Sequence, residues 1–230
     1  MGWLGPQEWQ AVVLSLKVSF WATLVGLPLG VFTAYALARW RFPGKQVVNG
    51  LVHLPLILPP VVTGYLLLVT FGTTGPVGAF LQKLGIVLAF NWTGAALAAG
   101  VMAFPLMVRA IRLSIEAVDP KLEDAAAVLG ASRGWVFATV TLPLILPGVL
   151  AGAILAFAKA MGEFGATITF VSNIPGQTQT LPSAVYAFLQ VPGGEGSAMR
   201  LVVVSVVIAM GALLLSEMVA RRAASRVAGA

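Results

Sequence analysis

Few side chains in this sequence have the type and spacing that chemistry requires. The 230 residues include no Cys and one His, which excludes thiol chemistry and Cys-ligated zinc. The single Gly-Lys pair, Gly44-Lys45, lacks the upstream glycine and the following Ser or Thr of a phosphate-binding loop. His53 stands alone, and no carboxylate cluster indicates a metal site. We therefore expect no catalytic residue, cofactor or metal in this chain, and any ATP hydrolysis must come from another protein.

The stretch Lys159–Gln190 combines ionisable, small and hydroxylated residues and ends in a predicted short helix, 181–190. Lys159 and Glu163 are four residues apart, a spacing at which helical side chains can pair. Ionisable groups near membrane depth usually face a bundle interior or a pathway, although Lys159 can instead snorkel to the interface beside a neutralising Glu163. Hydroxyl and small residues allow hydrogen bonds along a path or close helix contact. The candidate pathway residues are Lys159, Glu163, Thr167, Thr169, Ser172 and Asn173.

A polar island, Glu116–Pro147, holds four of the eight acidic residues. Its pattern predicts a short amphipathic helix, Pro120–Leu129. Asp119 is a good N-cap, Pro120 suits the first helical position, and Gly130 can end the helix in a left-handed cap. Such a helix could dock on a partner protein, or it could be a solvated helix that only joins two spans. Its apolar face consists of Leu122, Ala125, Ala126 and Leu129.

The remaining sequence is as apolar as that of integral membrane proteins. Charged residues make up 10% of the chain, against about 25% in soluble domains, so the chain is predicted to be an all-α integral membrane protein. Crossing a ~30 Å hydrocarbon core takes about 20 residues, and five apolar runs are long enough. The predicted spans are 11–38, 47–71, 93–112, 144–161 and 201–220, and the polar island falls in the loop 113–143.

Basic residues at the ends of the spans predict the orientation. Lys83, Lys159 and Arg200 fall on one side of the membrane, and a larger set falls on the other, which is therefore the cytoplasmic side. This places the N-terminus in the periplasm and the C-terminus and the polar island in the cytoplasm. Because the basic residues are dispersed in this way, the net charge of +6 does not indicate nucleic-acid binding. The cytoplasmic set is Arg39, Arg41, Lys45, Arg112, Lys121, Arg133, Arg221, Arg222 and Arg226.

The run EDAAAVLGASRGWVFATVTLPLILPG, 123–148, resembles the EAA loop of ABC-importer permeases. The family pattern of an acid, two alanines, a glycine and a later Leu-Pro falls on Glu123, Ala125, Ala126, Gly130, Leu142 and Pro143. Asp124 separates Glu123 from the alanines, so either carboxylate can be aligned with the acid of the family. The resemblance implies a cytoplasmic coupling helix that contacts an ATPase through Glu123, Asp124, Ala125, Ala126, Leu129 and Gly130.

Three further runs resemble the molybdate permeases of this class: HLPLILPPVVTGYLLL, AFPLMVRAIRLSIEAVD and GEFGATITFVSNIPGQTQTLPSAVY. The resemblance implies a type I ABC-importer permease fold, with one ABC transmembrane domain over residues 1–230. It also implies a homodimer in the bacterial inner membrane, surrounded by lipid, with a pair of cytoplasmic ATPases that bind ATP and Mg. A periplasmic molybdate-binding protein would deliver molybdate, and often tungstate, for import.

Three alternatives remain open from the sequence. Sulfate permeases share the architecture and a similar Gly-acid-aromatic-Gly run after the fourth span, so a sulfate or thiosulfate importer is one alternative. A non-transporting scaffold or sensor subunit would use the polar island to bind another cytoplasmic partner. A secondary transporter should carry a membrane-buried acid, whereas Glu163 and Glu217 sit at span ends. Identifying the partner of the island would separate the first of these from the second.

Overall fold

The structure, a computed structural model, describes residues 3–228, with side chains described as far as Met218. These residues form eleven α-helices and one π-helical turn, Phe137–Thr141, and no strand occurs among them, which confirms the all-α prediction. The helices in chain order are α1 Pro6–Arg39, α2 Lys45–Ile57, α3 Pro60–Phe71, α4 Pro76–Lys83, α5 Trp92–Glu116, α6 Pro120–Val128, α7 Arg133–Val136, α8 Leu142–Met161, α9 Gly165–Val171, α10 Leu181–Leu189 and α11 Glu195–Ala228.

Four helical stretches of the described chain are long and apolar enough to cross a membrane. They are α1, α5, the continuous stretch Arg133–Met161 that ends in α8, and α11 as far as Met218. Each overlies one of the predicted spans 11–38, 93–112, 144–161 and 201–220. The end of the last predicted span, and the basic residues Arg221, Arg222 and Arg226, lie beyond the described side chains.

The predicted span 47–71 is not one straight helix, because α2 and α3 meet at an angle of 115°. Leu58 precedes a proline and is extended at φ −70° and ψ 143°, since the following ring disfavours the helical conformation. Pro59 and Pro60 also lack the N–H that a continuous helix would use. With 13 and 12 residues, each helix rises only about 20 Å. The fold therefore has five spans only if this bent pair counts as one.

Helix α5 lies at the centre and packs against both α1 and α8, which also contact each other. Small residues allow these helices to approach closely, as is usual where lipid removes the hydrophobic driving force between helices. A Cβ added at Gly152 would lie 3.1 Å from Ile111 Cγ1, and one added at Gly30 would lie 2.7 Å from Met107 Sδ. Alanines dominate the buried surface of α5, namely Ala95, Ala96, Ala98, Ala99 and Ala103.

The short helix α9 packs tightly against α3, just beyond the bend. A Cβ added at Gly64 would lie 2.6 Å from the Ala166 carbonyl oxygen, and one added at Gly165 would lie 2.7 Å from Pro60 Cβ. Larger residues at either glycine would separate the two helices. Helix α10 confirms the short helix predicted after α9, ending one residue before the predicted Gln190.

Candidate coupling site and pathway

Helix α6 forms as its sequence predicts. The Asp119 carboxylate accepts a hydrogen bond from the Lys121 backbone N–H at 2.9 Å, which makes Asp119 the N-cap. The helix ends at Val128, one residue before the predicted end, and Gly130 adopts a left-handed φ of +88°. The capping residues at both ends are therefore confirmed, and they give α6 sharp boundaries.

The structure distinguishes the two neighbouring carboxylates of α6. Glu123 Oε2 lies 3.2 Å from Arg39 Nε, and Glu123 Oε1 accepts a hydrogen bond from the Thr141 hydroxyl at 2.8 Å. Arg39 also donates to the Val118 carbonyl at 2.9 Å. Asp124 is exposed and has no ion pair or hydrogen bond among the side chains of residues 3–218. Glu123 thus joins α6 to the last turn of α1 and to the π-helical turn before α8.

The apolar face of α6 points away from the helical bundle. Leu129 is 88% exposed and the adjacent Val128 is 87% exposed, while Trp135 on α7 is 65% exposed. An exposed apolar patch of this kind, rimmed by polar residues, is typical of a protein interaction site. A groove of about 660 Å³ beside the patch is lined by Ala126, Leu129, Gly130, Ala131, Ser132, Trp135 and Thr139. Ala125 is also exposed, and Leu122 is about half exposed.

The predicted pair at the end of α8 is present. Lys159 Nζ lies 3.1 Å from Glu163 Oε2. Glu163 is buried and does more than neutralise the lysine, because its other oxygen accepts the Ala166 backbone N–H at 3.0 Å. Glu163 therefore caps the N-terminus of α9, where an acidic side chain also complements the helix dipole. The Lys159 side chain remains one-third exposed.

The predicted hydroxyl donors of α9 are engaged within their own helix. The Thr167 hydroxyl donates to the Phe164 carbonyl at 2.9 Å, and the Thr169 hydroxyl donates to the Gly165 carbonyl at 2.7 Å. Thr167 is also buried. Because each hydroxyl carries one proton, neither threonine can donate to an anion in this conformation. This differs from the expectation that both hydroxyls serve as donors along a path.

The residues that follow α9 are more open to a ligand. Ser172 is exposed and has a positive φ of 66°, an uncommon conformation for a residue other than glycine. The Asn173 amide nitrogen lies 3.4 Å from the Ser183 carbonyl, and its buried oxygen has no partner among the residues described. A carboxamide oxygen accepts hydrogen bonds but does not donate them, so only the amide nitrogen of Asn173 could donate to an anion.

Sequence reasoning missed the partners of the predicted residues. The sequence assigned Arg39 only a role in membrane topology, and it assigned Thr141, within the run 123–148, no role of its own. Both are far from Glu123 in sequence, by 84 and 18 residues respectively, so no local pattern could indicate them. Trp135 was quoted within the loop, but its exposure depends on how α7 turns away from the bundle.

The described chain is all-helical, with four or five apolar spans and an exposed capped helix outside them, as is typical of a multi-pass membrane protein with an interaction surface beyond the bilayer. The chain belongs to the family described as "Binding-protein-dependent transport system inner membrane component", whose family model matches residues 26–225. It is therefore an inner-membrane permease subunit of a transporter, which agrees with the prediction that it is not itself an enzyme.

The similar proteins are permeases with named substrates. The molybdenum transport system permease protein ModB of Escherichia coli (strain K12) is 60% identical over 95% of this chain and 96% of that protein. The protein of the same name from Haemophilus influenzae is 55% identical over 94% of each chain. The sulfate transport system permease protein CysT of Salmonella typhimurium is 35% identical over 80% of this chain and 67% of that protein.

Solved structures share the fold. A bacterial ABC transporter involved in the import of alginate matches with a TM-score of 0.73 at 19% identity, covering 95% of this chain and 80% of that chain. An amino acid ABC transporter with histidines matches with a TM-score of 0.66 at 20% identity, covering 94% of each chain. At these identities the likeness concerns the fold alone, and it agrees with the predicted type I ABC-importer permease fold.

Proposed function

We propose that this chain is the membrane permease of an ATP-driven importer that carries molybdate, and its close analogue tungstate, into the cytoplasm. The observation that carries the proposal is the 60% identity, over 95% of the chain, to the E. coli molybdenum permease. The sulfate permease of S. typhimurium shares only 35% identity over a shorter part. The similarity therefore favours molybdate over sulfate or thiosulfate as the transported oxyanion.

The proposed orientation places α6 in the cytoplasm, the N-terminus in the periplasm and the C-terminus in the cytoplasm. Arg39 and Lys121 lie at the α6 end of the molecule, and Arg112 lies near the end of α5 that leads to it. Lys17 Nζ lies 3.7 Å from the ring centre of Trp92 at the start of α5, near the opposite end. Lys17 is not among the basic residues from which the sequence predicted the orientation. A bias of Lys and Arg toward the α6 end supports this orientation through the positive-inside rule.

The proposed coupling element is α6, which would dock on a partner ATPase that binds ATP and Mg. Its exposed apolar residues, Val128 and Leu129, fit a groove on such a partner. Any displacement of α6 would reach the spans through Glu123, which pairs with Arg39 at the end of α1 and with Thr141 before α8. A solvated linker helix would need neither the exposed apolar face nor this tie.

Two further partners follow from the proposal. A second copy of the permease would complete the membrane unit, and α2, which buries no residue within this chain, offers it a surface. A periplasmic binding protein would deliver the anion at the end opposite α6. The family description names binding-protein-dependent transport, and one solved relative is an alginate transporter in complex with a periplasmic protein bound to an alginate oligosaccharide.

The proposed route passes the segment from Lys159 to Asn173. A dianion that leaves water needs replacement donors, since burial without them is costly. In this conformation Lys159 and the exposed Ser172 are the available groups, with Asn173 beside them. Glu163, Thr167 and Thr169 would shape the segment, because their polar atoms are already bonded. A few neutral donors and one cation suit passage, since a site that binds too strongly would trap the ion.

The test is uptake of labelled molybdate by vesicles that carry the permease, the ATPase and the binding protein. We expect saturable uptake that excess tungstate suppresses and that an equal excess of sulfate leaves nearly unchanged. Suppression by sulfate but not by tungstate would reassign the substrate to the sulfate class. Assembly of the permease with a partner, without uptake of any oxyanion, would instead support a scaffold or sensor subunit.

A further inference from the structure

A cluster of basic and amide side chains lies between α2 and α5, apart from the segments discussed so far. It surrounds a cavity of about 260 Å³. A cavity of this size has room for a small anion with bound water. Its lining residues are Asn49, His53, Arg109, Arg112, Leu113 and Glu116.

Arg112 is held in place by two partners. Its Nε donates to Glu116 at 2.7 Å, and one terminal nitrogen donates to the Asn49 side-chain oxygen at 3.0 Å. A guanidinium has five N–H donors, so three remain for another acceptor. The side-chain oxygen of Asn49 already accepts this bond, so its NH₂ group is the part that can donate to another acceptor. His53 donates from Nδ1 to the Asn49 backbone carbonyl at 2.8 Å, so Nε2 of the neutral ring is an acceptor and not a donor.

Arg109 is exposed and has no ion pair or hydrogen bond with any side chain or backbone group that the structure describes. Its charge is therefore not neutralised locally, whereas Glu116 neutralises Arg112. Arg109, Arg112 and Glu116 together carry one net positive charge, and the arginines and Asn49 present several N–H donors. This composition favours an anion with several acceptor oxygens.

The cluster continues the face of α5 that packs against α9. With 3.6 residues per turn, Gly94, Ala98, Pro105, Arg109 and Arg112 fall on one face of the helix. Gly94 lies so close to Val171 of α9 that a Cβ would clash with it, and Ala98 and Pro105 are buried. The same face becomes open and basic in the last two turns of α5. Arg109 and Arg112 therefore lie toward the end of α5 that leads to α6, away from the contact of Gly94 with α9.

We infer that Asn49, Arg109 and Arg112 form a receiving site for the tetrahedral oxyanion at the α6 end of the permease. The inference rests on the proposed function and deepens it, since it names the groups that hold the substrate before release. Two arginines can hold an oxyanion by charge-assisted hydrogen bonds. Glu116 limits the net charge, so the ion is held weakly enough to leave. A phosphate of an anionic lipid presents the same chemistry, and the experiment separates the two sources.

The test uses the absence of native cysteine in this chain. Leu113 lines the cavity and is 60% exposed, so Leu113→Cys reports access to the cluster. The complete complex is placed in neutral-lipid vesicles with the α6 side outward, and a negatively charged thiol reagent is added with increasing molybdate. We expect molybdate to slow labelling several-fold in a saturable way. Labelling that is independent of molybdate would overturn the inference.

Arg109→Gln tests the cluster itself, because Arg109 has no bond within the described chain whose loss would disturb folding. It should raise the molybdate concentration for half protection about tenfold, the scale of one charge-assisted hydrogen bond. Arg41→Gln removes an exposed arginine from the α1–α2 loop and serves as the matched control. It should leave protection unchanged. Equal protection in both variants would overturn the inference.

Vesicles that contain phosphatidylglycerol separate the lipid source from the dissolved anion. If this lipid alone slows labelling and molybdate adds nothing, the cluster is a lipid-phosphate site and the inference is overturned. Molybdate uptake by the unsubstituted complex is measured in parallel. Protection without any uptake would contradict the proposed function, whereas uptake without protection would contradict only the receiving site.

Discussion

Glu123 and Asp124 are adjacent carboxylates that the rest of the chain treats differently. Glu123 and its partner Arg39 are largely buried, with side chains 16% and 17% exposed, whereas Asp124 is exposed. Glu123→Gln should therefore lower the stability of the folded permease by about 1–3 kcal/mol, because it leaves the Arg39 charge under-compensated. Asp124→Asn should have little effect on stability. The check is the midpoint of thermal unfolding of each purified variant in detergent, and equal midpoints for both variants would contradict the assignment.

Lys159 is the one cation among the candidate pathway residues, and it is one-third exposed beside the buried Glu163. Lys159→Gln should slow molybdate uptake several-fold while leaving assembly with the ATPase intact, because it removes ammonium donors and leaves the negative charge of Glu163 to repel a dianion. The matched control is Lys83→Gln, which removes an exposed lysine at the end of α4. If both variants transport at the same rate, the α9 segment serves packing rather than passage.

These residue-level distinctions were only partly predictable from the sequence. The Lys159–Glu163 pair follows from a spacing of four residues. The use of Glu163 as the cap of α9 does not, because it depends on the chain turning at Gly162-Glu163 rather than continuing α8. The hydroxyl directions of Thr167 and Thr169 depend on side-chain rotamers within α9, and no sequence pattern specifies those.

At the scale of single helices, α6 was the most predictable element because its signals are local. An N-cap, a proline at the first position and a glycine after the last turn lie within twelve residues of each other. The bend between α2 and α3 falls inside the single predicted span 47–71. The two prolines indicate that a helix cannot continue, but they do not specify the angle of 115° or the packing of α3 against α9.

Gly130 tests the loop that ends α6. Its φ of +88° is strained for a residue with a β-branched side chain, although a Cβ would meet nothing within 4 Å. Gly130→Val should thus cost about 1–2 kcal/mol of backbone strain and reduce co-purification of the ATPase, without preventing membrane insertion. Gly134→Val places the same side chain in the same loop, at a glycine without positive φ that also has open space. Normal co-purification of the ATPase with Gly130→Val would contradict a role for the left-handed cap in docking.

The orientation of the helices can be measured with three matched cysteine variants. Gln82 and Gln177 are exposed near the proposed periplasmic end, and Gln46 is exposed at the start of α2 near the opposite end. In intact cells stripped of the outer membrane, Gln82→Cys and Gln177→Cys should react with an impermeant thiol reagent, and Gln46→Cys should react only after permeabilisation. Since each position replaces an exposed glutamine in a chain without cysteine, differences in reactivity report the side of the membrane. The reverse pattern would overturn the orientation and place α6 away from ATP.

At the scale of the whole molecule, the alanine-rich helix α5 packs closely against α1 and α8. The polar contacts of the coupling site and of the proposed route lie near opposite ends of this group of helices. The described structure ties α6 to α1 and to the start of α8 through one carboxylate. The segment from Lys159 to Asn173 lies at the far end of α8. Helix α8 therefore links the coupling surface to the proposed route. Glu123, beside the start of α8, and Lys159, near its end, are the charged residues whose substitution tests this link.

The central claim is that ATP hydrolysis outside this chain drives molybdate through it by way of α6. The most direct measurement is the accumulation of molybdate in vesicles that carry the whole complex, with ATP supplied or withheld. We predict accumulation only with ATP and with the loaded binding protein. Leu129→Glu should abolish it, because a charge replaces the 88% exposed leucine of the docking face, whereas Leu84→Glu, at a leucine 62% exposed beyond α4, should not. Equal accumulation without ATP, or unchanged accumulation in Leu129→Glu, would contradict the account.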